Sequence, residues 1–195
     1  IEHVHIDEMA RMMSGAAGRN LDLPRGIRFA VGYREATITH GGTGLCGLPP
    51  LKGDHLLKIP GETQVCGWRV EAKLVEQSTE EAGVVLSDAG SKPEHAPYGL
   101  TAYLGRDALR AQTRVRARRP GDRFQPLGMS QPKKLQDFMV DAKVPRQWRD
   151  RVPLVVSADG IAWVVGWRIA EWAKVKEGTS QAVEIRFLDD GQNSA

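Results

Sequence analysis

The pattern of hydrophobic and polar positions opens with helical spacing, turns to strand alternation and returns briefly to helical spacing in the second half. Near the start, Ile1, Val4, Met9, Met12 and Met13 lie among charged residues, and HIDEMARMMSGAAG carries its apolar stripe on one side. That predicts a short helix, ended by Gly15 and Gly18. After the LDLPRG turn come IRFAVGYREATITHGG, LLKIPGETQVCGWRVEAKLVE, AGVVLSD and GLTAYLGRDAL, short β-rich runs punctuated by glycine and proline. Residues 20 to 110 therefore read as mostly strand. SDAGSKPEHAPYG, from Ser87 to Gly99, is polar with two prolines and reads as a surface loop.

Past residue 110 the alternation continues with arginine on one side. Arg114, Arg116 and Arg118 project to one face and Val115 and Ala117 to the other, which predicts three guanidinium groups along one strand face. Pro120 and Gly121 break that strand, and Phe124, Pro126 and Gly128 mark an extended loop. In KKLQDFMVDAKV, Leu135, Phe138, Met139 and Ala142 fall at i, i+3, i+4 and i+7, one face of a helix. Pro145 stops that helix and opens a second helical turn, PRQWRDRV. LVVSADGIAWVVGWRIAE holds Asp159-Gly160 between two apolar runs, a hairpin signal. Its second strand places Ile161, Trp163, Val165, Trp167 and Ile169 on one face and Ala162, Val164, Gly166 and Arg168 on the other, the pattern of a central strand. VEIRFL is expected to close the same sheet, and DDGQNSA to be a frayed tail. The expected fold class is α+β, mostly antiparallel β with a few short helices, in two sub-domains.

Length and composition change little. The 195 residues, 41% hydrophobic and 26% charged, suit a globular chain of one large or two smaller domains. No run reaches the roughly 18 to 20 apolar residues of a membrane span, and no signal-peptide order appears, so a cytoplasmic protein with no membrane partner is expected. Cys46 and Cys66 lie twenty positions apart without a CxxC pair and read as inert thiols. A chain that opens at Ile1 inside a patterned segment reads as a fragment of something longer.

Charge changes the picture more. Arg114 to Arg151 holds eleven Lys and Arg against Asp122, Asp137, Asp141 and Asp150, a local net charge of +7 in a chain whose total is +3. The basic character belongs to one segment, and it points to a polyanionic partner. Eight of the eleven are arginine, whose planar fork suits bidentate phosphate contact. The bland alternative is a solvated face neutralised by pairs such as Lys134 with Asp137 and Lys143 with Asp141. Phe124 and Trp148 stand among the cations as stacking or packing groups. The candidate contacts to that polyanion are Arg114, Arg116, Arg118, Arg119, Arg123, Lys133, Lys134, Lys143, Arg146, Arg149 and Arg151, with Arg168 set apart because a central strand can bury it against an acid.

Other signals fail on context. Gly42, Gly44 and Gly47 have GxGxxG spacing with Glu62 downstream, but Leu48-Pro49-Pro50 follows where a helix must begin to hold a pyrophosphate. His3 and His5 sit near Asp7 and Glu8 without further partners at metal-ligand spacing. No GxxxxGK[ST], HExxH or GxSxG occurs. No catalytic or metal-binding centre is expected in this chain.

One resemblance is specific. RRPGDRFQPLGMSQPKKLQDFMVDAKVPRQWRDRVPLVVSADGIAWVVGWRIAE resembles the C-terminal domain of the tRNA(Ile)-lysidine synthetase family, over about residues 111 to 188. GRNLDLPRGIRF and LKIPGETQVCGWRVEA are similar to the stretch that precedes it in that family. The resemblance implies a β-rich middle or linker domain over 1–110, beginning with the end of a helix, and an α+β tRNA-binding domain over 111–195. It further implies a full-length ATP-dependent carbon–nitrogen ligase that adenylates the wobble cytidine of the CAU-anticodon isoleucine tRNA and joins lysine to it. An ATP-pyrophosphatase domain with an SGGxDS loop does this in the family, using ATP and Mg²⁺, and that motif does not occur here. The implied partners of this segment are tRNA(Ile), gripped on its acceptor-stem side, and its own N-terminal catalytic domain; homodimerisation stays open, as does a docking or dimerisation module without RNA contact.

Overall fold

Burial of one-sided apolar stripes accounts for the first elements of the computed structural model, which describes residues 2–15, 19–31, 36–40, 48–76, 100–110, 112–176 and 181–189. The chain divides into two units, Ile1–Leu48 with Lys143–Arg149, and Pro49–Ala142 with Asp150–Ala195. In the first unit the helical spacing forms α1 (His3–Met13), whose start is tied by the Glu2 N–H donating to His5 Nδ1 at 3.0 Å. Met9 and Met12 of α1 pack on Leu23, Phe29 and Val31 from an antiparallel sheet of β1 (Asn20–Leu23), β2 (Ile27–Val31) and β3 (Ala36–His40). Pro145 is followed by the expected helical turn, a 3₁₀ turn over Arg146–Trp148 in which Trp148 is buried. The glycine pattern at 42 to 47, Cys46, the AGVVLSD run, the loop at 87–99 and the tail past 189 lie outside the described residues.

The second unit is built from β4 (His55–Leu56), β5 (Gly61–Val65), β6 (Trp68–Glu76), β7 (Thr101–Gly105), β8 (Arg114–Arg116), β9 (Arg123–Phe124), β10 (Lys133–Lys134), α2 (Leu135–Asp141), β11 (Leu154–Ser157), β12 (Gly160–Val164), β13 (Arg168–Ile169) and β14 (Gln181–Asp189). One sheet has the order β5-β6-β14-β7, a second β13-β12-β11-β8-β4, and β9 with β10 forms a two-stranded ribbon. Every named pairing is antiparallel. This is the α+β class expected, with strands dominating. Hydrogen-bonded sheets run across position 110: β14 pairs with β6 and β7, and β4 pairs with β8.

Three features differ from the sequence-based expectation. VEIRFL does not join the hairpin sheet; β14 is a central strand of the other sheet, in register with all nine residues of β6. Alternation fixes which face a strand buries and leaves its partner open. Its Phe187 then joins the sheets, meeting Trp68 and Trp163 edge-on at 5.9 and 5.5 Å between ring centroids. Second, Arg118 falls beyond β8, so no face of three arginines forms; only Arg114 and Arg116 lie in the strand. Third, the expected strand from Ile161 to Ile169 is two strands. Val164 accepts a hydrogen bond from the Trp167 N–H at 2.9 Å, and Gly166 takes φ 81° at the third position of that turn. All seven residues from Ile161 to Trp167 are buried, so the apolar run passes through the turn without a polar mark. Strand β12 is interior as expected, while β13 with Arg168 is an edge.

Helix α2 buries Leu135, Phe138 and Met139, the face its spacing predicts, and Phe138 stacks edge-on against Phe124 at 4.9 Å. Phe124 is thus a packing residue. The first part of the expected loop at 124–128 is strand, since β9 pairs with β10. The rest is pinned: Pro126 bridges Ala170, and Glu171 accepts from the Gly128 N–H at 2.7 Å.

Replacing Gly166 by alanine forces a Cβ into the left-handed region and is expected to lower unfolding stability by about 1 kcal/mol. In urea denaturation the midpoint falls and the slope stays the same. An unchanged midpoint would show that this turn tolerates a side chain and does not need glycine.

Candidate nucleic-acid interface

The interface is organised by a turn. Arg119, Pro120, Gly121 and Asp122 form it, with the Asp122 N–H donating to the Arg119 carbonyl at 3.2 Å and Gly121 at φ 85°, the place a type II turn reserves for glycine. Beneath it, both terminal nitrogens of Arg116 donate to the two carboxylate oxygens of Asp122, each at 2.8 Å. Arg116 also donates to the Ala117 carbonyl at 2.9 Å, and Asp122 accepts the Arg119 N–H at 2.7 Å. Arg116 is only 8% exposed. Burial pulls the Asp122 pKa upward, but the hydrogen bonds from Arg116 and from the Arg119 N–H outweigh it, and the net displacement is below the ordinary carboxyl value.

Around this pair further arginines are held by acids. Arg118 Nε donates to Asp150 at 2.7 Å. Asp54 accepts Arg119 at 2.6 Å on one oxygen and Arg114 at 3.3 Å on the other. Arg123 and Lys134 stand directly opposite each other across the β9–β10 ribbon, on one face of it. Arg123 Nη2 donates to the Pro132 carbonyl at 2.9 Å. Lys134 is exposed and makes no ion pair among the described residues. A depression of about 530 Å³ lies at this surface, lined by Arg118, Arg119, Gly121, Arg123, Lys134 and Gln136, among others.

Residues 113–186 match the family model of the TilS substrate C-terminal domain. This segment is a domain of that family. Over 96% of its length it is 39% identical to a tRNA(Ile)-lysidine synthase of Dehalococcoides mccartyi, and over 85% it is 37% identical to one of Symbiobacterium thermophilum. The chain spans 37% and 32% of those two proteins. The crystal structure of a TilS C-terminal domain superposes with a TM-score of 0.53 at 24% identity, covering 70% of this chain and 96% of that one, a likeness of fold.

Within the TilS domain, the segment predicted to be basic is sorted by the fold. Arg118, Arg119, Arg123 and Lys134 gather around one depression. Arg114 and Arg116 serve internal pairs, and Arg116 is too buried to offer its guanidinium to a ligand, contrary to the exposed strand face expected of it. Lys133, next to Lys134 in β10, points to the other side of the ribbon and pairs with Asp141, where the sequence suggested Lys143. Arg151 is half-buried, and half-buried Arg168 donates to the Leu127 carbonyl at 3.4 Å. Lys143, Arg146 and Arg149 belong to the first unit, where Lys143 and Arg146 are exposed and Arg149 donates to the Val144 carbonyl. Sequence reasoning missed Asp54, which stands about sixty positions from the arginines it holds and carries no local signal.

Other chemical groups are accounted for within the fold. Buried Glu184 accepts the Tyr103 hydroxyl at 2.7 Å and the Arg186 guanidinium. Cys66 Sγ lies 3.4 Å from His55 Nε2, and among the described residues no three His, Cys, Asp or Glu side chains converge as a metal ion requires. No helix among them is long and apolar enough to cross a membrane.

Because the folded Asp122 carboxyl sits below its unfolded value of about 3.9, its contribution is whole above that pH and fades as pH falls through the lower folded value. Asp122→Asn leaves Arg116 without its buried counter-charge and is expected to cost about 3 kcal/mol at pH 7. Denaturant titrations across pH should show the gap to wild type narrowing below about pH 4. A gap that stays constant down to pH 2 would rule out the ionised carboxylate as its source.

Proposed function

We propose that this chain is the C-terminal, tRNA-gripping part of a tRNA(Ile)-lysidine synthetase and carries no catalytic centre of its own. The observation that carries this reading is the gathering of Arg118, Arg119, Arg123 and Lys134 around one open depression in the TilS domain. Such a cluster neutralises backbone phosphates, which is how structured RNA is held when base edges are out of reach. The substrate is tRNA(Ile), engaged on its acceptor-stem side. The full-length enzyme, in the cytoplasm, ligates lysine to the wobble cytidine. ATP and Mg²⁺ belong to its N-terminal catalytic domain, the second partner of this chain.

A rival reading, a docking or dimerisation module without RNA contact, draws support from the aspartates that already hold Arg114, Arg118 and Arg119. Salt separates the two. A phosphate-binding surface releases counterions, so affinity falls steeply as salt rises; an interface of internal pairs gives no RNA binding to measure.

The 195-residue chain is expected to bind tRNA with strong salt dependence, and more tightly to an acceptor-stem hairpin than to an anticodon stem-loop. Arg119→Glu with Arg123→Glu should weaken binding and flatten the log–log salt slope by about one unit for each phosphate that is no longer neutralised. No binding of either RNA below about 100 μM would favour the docking module instead, since even non-specific association is commonly tighter than that.

A further inference from the structure

We infer that the depression beside the Pro120–Gly121 turn seats a terminal phosphate monoester, the 5′ phosphate of the bound RNA, in preference to an internal phosphodiester. The inference rests on the tRNA-binding reading above and adds the chemical group that this surface selects. Its basis is which charges the fold has neutralised and which it has not. Of the acids lining the depression, Asp122 has both oxygens taken by Arg116, and Asp150 is paired with Arg118. Arg119 is held by Asp54. Arg123 and Lys134 remain, neither with a carboxylate partner among the described residues.

These two cations are direct cross-strand neighbours. Like charges at that position repel, which destabilises a two-residue ribbon that has few hydrogen bonds to hold it. A ligand that offsets both charges at one point brings about two negative charges there. A phosphodiester carries one; a terminal monoester carries about −1.5 to −2 near pH 7, with three acceptor oxygens. Arg123 is aimed by its bond to the Pro132 carbonyl, and its other guanidinium N–H groups stay available to such a group.

Shape points the same way. Phosphates of a duplex lie on the outside of a cylinder and are met by side chains that stand out from a surface. The cations here surround a concavity of about 530 Å³, which the end of a strand enters more readily than a continuous backbone. On one wall Gly121 leaves the space above its Cα open: a Cβ built there would meet no atom within 4 Å.

The test compares one tRNA carrying a 5′ monophosphate with the same RNA after phosphatase treatment, each titrated with the 195-residue chain. Removing the phosphate is expected to weaken binding about tenfold, the order of one charge-assisted hydrogen bond. Lys134→Ala and Arg123→Ala, both at exposed positions, should lose the difference between the two RNAs. If wild type binds both RNAs equally and with the same salt slope, the terminal-phosphate seat is overturned while tRNA binding stands. If it binds neither, the tRNA-binding reading fails and this inference with it.

Discussion

The Arg116–Asp122 pair is the constraint from which the rest of the basic surface takes its form. A guanidinium buried to this degree must find a counter-charge and partners for its N–H groups, because desolvating it unpaired is costly. Asp122 supplies the charge in bidentate geometry and also caps the Arg119 N–H, which fixes the turn through Pro120 and Gly121. Its backbone carbonyl then accepts the Leu135 N–H at 2.9 Å, so the start of α2 is tied to the same residue. A single ion pair thus links β8, the turn, β9 and α2. The exposed cations are carried on those elements, and their positions follow from it.

The apolar scaffold under this surface is held by a different interaction. Phe187 reaches from the centre of one sheet to Trp163 of the other, with Trp68 on its second edge. That cluster and the Phe124–Phe138 contact are each built from residues far apart in sequence. A short ribbon such as β9–β10, with two residues per strand, has little stability of its own. It is kept by Phe124 below, by Leu135 at the start of α2 and by the clasp of Pro126 on Ala170.

Much of this was legible in the sequence, for reasons that also explain what was not. Leu135, Phe138 and Met139 announce α2 because helical spacing and burial coincide there. The hairpin of β11 and β12 is announced by a polar pair between apolar runs. The turn at Val165 to Trp167 was hidden because the sequence is apolar on both sides and within it, and only Gly166 marks it. The sheet in which β14 sits could not be read either, since period-two alternation carries no record of a partner. At the site, the concentration of arginine was plain. Its division into internal and external groups was not, because Asp54 lies far away in sequence and burial of Arg116 is a property of the assembled turn.

That division carries the functional meaning. An ion pair at the surface contributes little, because water competes with it and holding two side chains together costs entropy. Arg118 with Asp150, 27% and 76% exposed, and Arg119 with Asp54, 58% and 25% exposed, are partly solvated pairs of this kind, and on the proposed reading each arginine exchanges its carboxylate for a phosphate. Arg116 cannot, since withdrawing it from Asp122 would strand a charge inside the fold. The same residue type, repeated at alternate positions of one short segment, thus does two kinds of work. The inner arginine sets the geometry, and in the proposed function the outer ones are kept oriented by their aspartates until a phosphate replaces them. Acids within a basic surface need not oppose its binding: by steering side chains that would otherwise sample many rotamers, they lower the ordering entropy that a ligand must overcome.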